Sequence, residues 1–200
     1  MSTNRLEAFS DGVLAVAITL LVLNIAVPDP VKHPHLGSAL GNQWPQYAAY
    51  ATSFLTIGII WVNHHAMMSR LRAADHSILM LNLVLLLTIG VIPFGTALLA
   101  DYLREGHGQN LAAGIYGGVL LLMAIAFATL NWHILFHKVH LLGAALTEER
   151  RRRILARSVL GLAPYALAAA LAAVSPYATL AICAGLAIYY ALPLASSFEP

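Results

Sequence analysis

The stretch Arg5–Val27, RLEAFSDGVLAVAITLLVLNIAV, decides how the rest of the chain is read. It opens polar, with Arg5, Glu7, Ser10 and Asp11, then runs apolar from Gly12 to Val27, broken by Thr19 and Asn24. At about 1.5 Å per residue, such a run crosses a hydrocarbon layer roughly 30 Å thick. The backbone there must be helical, because an unpaired peptide group in lipid costs several kcal/mol. The stretch therefore reads as a membrane helix with a carboxylate near its start, and Asp11 needs a partner or water. On a helical wheel, Phe9, Val13, Val16, Leu20, Leu23 and Val27 share one side, with Thr19 at its edge. Asp11, Ile18, Val22 and Ile25 take the opposite side. Ser10, Ala17 and Leu21, with Asn24 nearby, form a third. Periodicity alone leaves open which side meets lipid, protein or a pore.

The totals agree with a membrane chain. Of 200 residues, 60% are hydrophobic and 10% charged, where soluble proteins carry about 25% charged residues. The mean hydropathy is +0.75. Apolar run lengths give about six spans in one domain, residues 1–200. They are expected at 5–27, 45–68, 76–100, 110–136, 158–174 and from 176 to near Ala195. Pro28 and Pro30 end the first, Trp44 and Tyr47 anchor the second, and Pro93 kinks the third. The segment 29–43 reads as a polar, mobile loop, and Lys138–Arg157 as a basic linker. With the N-terminus inside, Arg5, Arg70, Arg72, Lys138, Arg150, Arg151, Arg152, Arg153 and Arg157 face the cytoplasm, and Lys32 and Arg104 face out. That is 9 against 2 of the 11 basic residues, so the positive-inside rule places both termini in the cytoplasm of a cell-membrane protein that crosses several times. The arginine run then anchors topology against anionic lipid. Met1–Phe9 lacks the basic run of a cleavable signal peptide. The single cysteine, Cys183, reads as a small buried hydrophobe.

The first helix starts where the second ends, so Asp11 and His64 or His65 are expected at one level, with His76 opening the third span there. A hydrogen-bonded cluster of Ser10, Asp11, Asn63, His64 or His65, His76 and Asn82 would satisfy Asp11 and tie three helices together. The series His133, His137, His140 has metal-like spacing on a continued helix, but lacks a nearby Glu or Cys. Interfacial histidines are the simpler reading, and no metal or other cofactor is expected. Enzyme signatures are absent: there is no G-x-S-x-G elbow, phosphate loop or C-x-x-C. Nothing suggests nucleic acid. Gly114-x-x-x-Gly118 allows close helix contact.

Arg5-x-x-x-Phe9-Ser10-Asp11 at the head of a first membrane helix resembles the R-x-x-x-F-S-D signature of the endolysosomal potassium channel family and its bacterial relatives. The likeness continues through Gly12, the run Ala17–Leu23 and Pro28. It extends to Trp61-Val62-Asn63-His64-His65, Leu81-Asn82-Leu83 and Ile92-Pro93-Phe94, and is concentrated in the first half of the chain. The resemblance implies an all-α fold of six transmembrane helices, without the T-V-G-Y-G filter of other potassium channels. Thr88-Ile89-Gly90 echoes that filter but sits within an apolar span. It also implies a homotetramer, a potassium-preferring cation channel whose pore is lined by the first helix, and an F-S-D motif that knits this helix into its bundle. Val16, Leu20 and Leu23 would form successive apolar rings that dewet and close the pore. Val16 stands where the family commonly has isoleucine, which widens that ring. Thr19 would offer hydroxyls to a partly dehydrated potassium ion, and Asp29, Asp101 and Glu105 weak cation attraction outside. The alternatives are a proton-coupled secondary transporter or a proton leak using Asp11 and the histidines, or a structural membrane module without transport. A transporter site favours a broken helix, and Val13–Val27 holds neither Gly nor Pro.

Overall fold

The computed structural model of the chain describes residues 3–32 and 34–192. Their regular structure is helical, apart from one isolated antiparallel bridge between Leu71 and Leu142. Helix α1 spans Thr3–Leu20 and tightens into a 3₁₀ turn over Leu21–Asn24. It stops ahead of the expected Val27: Ile25 is already extended, as suits a chain heading for Pro28. The segment read as an open loop contains a short helix, α2 (Leu36–Asn42).

Helix α3 covers Trp44–Met68. Helices α4 (His76–Gly90) and α5 (Ile92–Tyr102) form one long rod broken at Val91, with Pro93 in the first turn of α5. The tripeptide Thr88-Ile89-Gly90 is helical, so it turns no row of carbonyls toward an ion. Helix α6 (Gln109–Trp132) begins after Gly108, whose φ of 72° suits glycine. It runs on through a π-helical turn, His133–His137. The basic linker is in large part helical: α7 (Glu148–Leu160) carries the arginine run and continues past Gly161 into α8 (Leu162–Leu171). Helix α9 spans Pro176–Ala191. The expected end of the sixth span near Ala195 lies outside the described residues. Caps mark the starts. Asp75 Oδ1 accepts from the Ile78 amide at 3.0 Å, and Ser175 Oγ accepts from that of Ala178 at 3.3 Å.

Among the described residues, 4 helical stretches are long and apolar enough to cross a membrane: Thr3–Asn24, His76–Tyr102, Gln109–His137 and Glu148–Leu171. The other two expected spans differ for opposite reasons. Helix α3 has 25 residues but is less apolar, because it carries Thr52, Ser53, Thr56 and His64, all buried. Helix α9 is apolar but has 16 described residues.

Two ends of the bundle are pinned by loop contacts. At the near end, which carries the start of α1, the α3–α4 turn is clipped to the α6–α7 linker. Arg72 N donates to Leu141 O at 2.9 Å and Gly143 N to Arg70 O at 2.8 Å. Lys138 Nζ lies 2.6 Å from Asp75 Oδ2. At the far end, Gln43 Nε2 donates to Ala26 O at 2.8 Å, Arg104 to Asn42 O at 3.0 Å and Asn110 to Ala173 O at 3.0 Å. Between the ends, packing does the work that water exclusion does in soluble proteins, because lipid is as apolar as leucine. The tightest approach is at Gly117, where a β-carbon would stand 3.0 Å from Ala169 Cα. The expected pair is thus displaced: a β-carbon at Gly114 would stand 3.8 Å from Ala172 Cβ, while one at Gly118 would meet nothing within 4 Å.

Candidate functional site

One edge of α1 enters the bundle: Leu6, Ser10, Leu14, Ala17 and Leu21, recurring every three or four residues. This is the third side of the wheel, the one holding Ser10, Ala17 and Leu21. Its polar member begins a chain of hydrogen bonds. Ser10 Oγ donates to Leu6 O at 2.9 Å. Its one proton is then spent, so it accepts from Asn82 Nδ2 at 2.9 Å. That orients the amide, and Asn82 Oδ1 accepts from His64 Nε2–H at 2.8 Å. All three side chains are fully buried. The chain therefore places a proton on His64 Nε2. Its Nδ1 is buried without a partner.

Beside this dry chain runs a second, wetter set. Trp61 Nε1 donates to Asp11 Oδ1 at 2.9 Å. His65 Nδ1 pairs with Glu7 Oε1. Glu7 and Asp11 lie four apart on α1, and Trp61 and His65 four apart on α3, so two antiparallel helices meet rung for rung. The expected cluster is thereby split. Ser10, His64 and Asn82 are joined, and Asp11 and His65 stand next to them in separate pairs. Asn63 turns away and donates to Ile59 O of its own helix at 3.0 Å. His76 is exposed at the start of α4, and Arg5 and Phe9 are exposed on α1. The sequence reading missed Glu7 and Trp61 as partners. Their matched i, i+4 spacings were the available signal.

The apolar ladder lies on another side of α1 and stays open. Val16, Leu20 and Leu23 are 57%, 44% and 74% exposed, while Val13 is half-buried. The 3₁₀ turn matters here. Residues three apart eclipse in such a turn, so Leu23 stays directly in line with Leu20 where a continued α-helix would rotate it away. Thr19 is exposed between them, and its hydroxyl lies 3.0 Å from Ala15 O and 2.9 Å from Val16 O. The hydroxyl proton points back into the helix, which leaves oxygen lone pairs facing outward. Such an oxygen can coordinate a cation but has no proton left to donate to an anion.

Among the described residues, the remaining polar groups are held in smaller sets. Ser53 Oγ joins Thr96 Oγ1 at 2.8 Å and Tyr116 Oη at 3.0 Å, a buried set linking α3, α5 and α6. The His133 and His137 rings stack with centroids 5.4 Å apart, and His140 lies beyond the helix in a 3₁₀ turn. The three-histidine face that a continued helix would make is therefore not formed. Among the described residues, no group of three His, Cys, Asp or Glu side chains is placed to hold a metal.

Known proteins resemble this chain in sequence and fold. The family described as endosomal/lysosomal potassium channel TMEM175 matches residues 5–93, the part that carries α1, α3, α4 and the polar chain between them. A Streptomyces collinus protein named as a potassium channel is 46% identical over 170 residues, covering 85% of this chain and 82% of its own. The crystal structure of a lysosomal potassium-selective channel TMEM175 homolog from Chamaesiphon minutus superposes with a TM-score of 0.84 at 39% identity, covering 96% of this chain and 97% of the other. A mouse protein named endosomal/lysosomal proton channel TMEM175 is 32% identical over 180 residues, which are 86% of this chain and 36% of the mouse protein. With such identity over most of both bacterial chains, and the same fold, this chain belongs to the TMEM175 family of ion channels.

Proposed function

We propose that the chain, as one transmembrane unit of residues 1–200 with α3 and α9 completing six crossings, is a subunit of a homotetrameric potassium channel. The observation that carries this reading is the ladder. Val16, Leu20 and Leu23 lie open in the single chain, while Ser10, Asn82 and His64 hold the neighbouring edge of α1 in the bundle. One helix cannot enclose a pore, but four copies of α1 around an axis can, with these side chains as stacked rings. Apolar rings exclude water and hold a narrow pore shut. Opening widens them by tilt or rotation of α1. Thr19 sits between the rings with its oxygen outward, and replaces part of the hydration shell of a passing ion. Potassium gives up that shell at lower cost than sodium. The names of the bacterial relatives support potassium as the permeant ion, and a family of ion channels supports passive flux in place of catalysis. The near end is assigned to the cytoplasm on the distribution of Lys and Arg, which puts both termini inside a cell membrane.

A second reading, proton flux, has support in the names of the mammalian relatives and in the Glu7–His65 and Asp11–Trp61 pairs near the entry of α1. Flux into liposomes carrying the purified protein separates the two. Potassium entering down its own gradient, faster than sodium and without an imposed proton gradient, is the expected result. Flux that requires the proton gradient would move the assignment to a proton-coupled carrier. Acid-driven current without potassium would move it to a proton leak.

A further inference from the structure

The far end of the ladder has a tie of its own, and it lies inside the 3₁₀ turn. Three residues per turn put Asn24 in line with Leu21, the last member of the buried edge, just as they put Leu23 in line with Leu20. Continued as an α-helix, both Leu23 and Asn24 would swing about 60° round the axis. One turn thus sets an inward amide and an outward leucine together. Leu21 is buried, Leu23 is exposed and Asn24 is half-buried.

The amide meets the break between α4 and α5. Asn24 Nδ2 donates to Pro93 O at 3.2 Å. Pro93 has no N–H to give the preceding turn, and the rod parts at Val91. The carbonyl just before it, Ile92 O, accepts from Thr96 Oγ1 at 2.8 Å. That spends the threonine proton, so Thr96 accepts from Ser53, and Ser53 in turn from Tyr116. The first turn of α5 is therefore held by α3 and α6, and it offers α1 a fixed acceptor. Leu21, Val22 and Leu23 carry no polar side-chain atom, so among the described residues Asn24 makes the one side-chain hydrogen bond from this turn to the bundle. Hydrogen bonds within a 3₁₀ turn are poorly aligned, and the turn depends on what holds it from outside.

We propose that Asn24 is the positioning residue for the Leu23 ring: its bond to Pro93 O holds the 3₁₀ turn that keeps Leu23 in line with Leu20, and so ties the closed ring to the α4–α5 break. The proposal rests on the ladder lining the pore. Without the bond the turn rewinds or frays, Leu23 leaves the row, and the pore wets at that level.

Resting potassium leak in liposomes carrying the full-length protein, with the proton gradient collapsed, tests this. Asn24→Leu keeps the branched shape and removes the donor, and should raise the leak about fivefold, the worth of one hydrogen bond in the closed state. Leu23→Ser should raise the leak by itself. Adding Asn24→Leu to Leu23→Ser should raise it no further, because the ring that Asn24 positions is already wet. Thr88→Val removes a hydroxyl that bonds Leu85 O of its own helix near the same break, and should leave the leak at the wild-type level. If Asn24→Leu does not fold, Asn24→Ala removes the same donor without added bulk and carries the same expectation. A leak from Leu23→Ser with none from the Asn24 variants would overturn the role of Asn24 and leave the pore reading standing. Silence from both would overturn the two together. An equal extra leak from Asn24→Leu in the wild-type and Leu23→Ser backgrounds would place its effect outside the ring and overturn the proposal. So would a leak from Thr88→Val that matches Asn24→Leu.

Discussion

Two sides of α1 face different surroundings with different chemistry. One buries Leu6, Ser10, Leu14, Ala17 and Leu21, and anchors to α3 and α4 through a serine, an asparagine and a histidine. The other presents Val16, Leu20 and Leu23 exposed among the described residues. In water the second side would be the one to bury. In a membrane, apolar exposure costs little and unpaired polar groups cost much, so the polar side fixes the helix. The orientation of the ladder is therefore set by residues that are not in it.

The largest effects are expected on the polar side of α1. Asn82→Leu strands the His64 Nε2–H in a fully buried site, and should cost about 2–4 kcal/mol of stability, read as a lower melting temperature in detergent. An unchanged melting temperature would mean that the polar chain does not hold α1. Asp11→Ala removes the acceptor of the Trp61 indole at 2.9 Å. A loss of about 1–2 kcal/mol and weaker assembly are expected, with ion preference retained. A well-assembled variant with altered preference would place Asp11 on the ion path instead. Asp75 gives a smaller effect at the near end. Its carboxyl is held below the ordinary range, chiefly by its hydrogen bond to Lys138 and then by the Ile78 amide. That contribution is present above the usual carboxylate pKa and is lost as pH falls through the lowered one, so acid melting should shift to higher pH in Asp75→Ala. At neutral pH the lost cap and ion pair should cost about 1 kcal/mol. On the ladder side, Thr19→Val keeps volume and removes the outward oxygen. A fall in the potassium-to-sodium flux ratio of about threefold is expected, and an unchanged ratio would remove Thr19 from selectivity.

How far these features could be read in advance differs from one to the next. The apolar run of α1 and the three sides of its wheel are legible, because hydropathy and a 3.6-residue period are properties of one helix. Which side enters the bundle is not, since Ser10, Ala17 and Leu21 look no more buried in sequence than Val16 and Leu20. Registry between helices is a tertiary fact. Ser10, His64 and Asn82 could be placed at one level, but not separated from Asn63 and His76, which share that level and point elsewhere. Asp11 finds a tryptophan and not a histidine because α3 presents Trp61 opposite it. The span of α3 is legible despite its polar residues, but its Thr52, Ser53 and Thr56 make sense only once they are seen buried. The linker expected between Lys138 and Arg157 is largely helix because Glu148 and Glu149 pair one turn ahead with Arg152 and Arg153.

The most direct test compares two exposed leucines. Leu23 is 74% exposed on the α1 ladder, and Leu87 is 70% exposed on α4. Each is changed to serine, and resting potassium leak is measured in liposomes with the proton gradient collapsed. If the ladder lines a pore closed by apolar rings, Leu23→Ser wets a ring and raises the leak tenfold or more on the order of a 1.4 kcal/mol change in the barrier, while Leu87→Ser leaves it at the wild-type level. Equal leaks from the two variants, or a leak from Leu87→Ser alone, would contradict the assignment of the pore to α1.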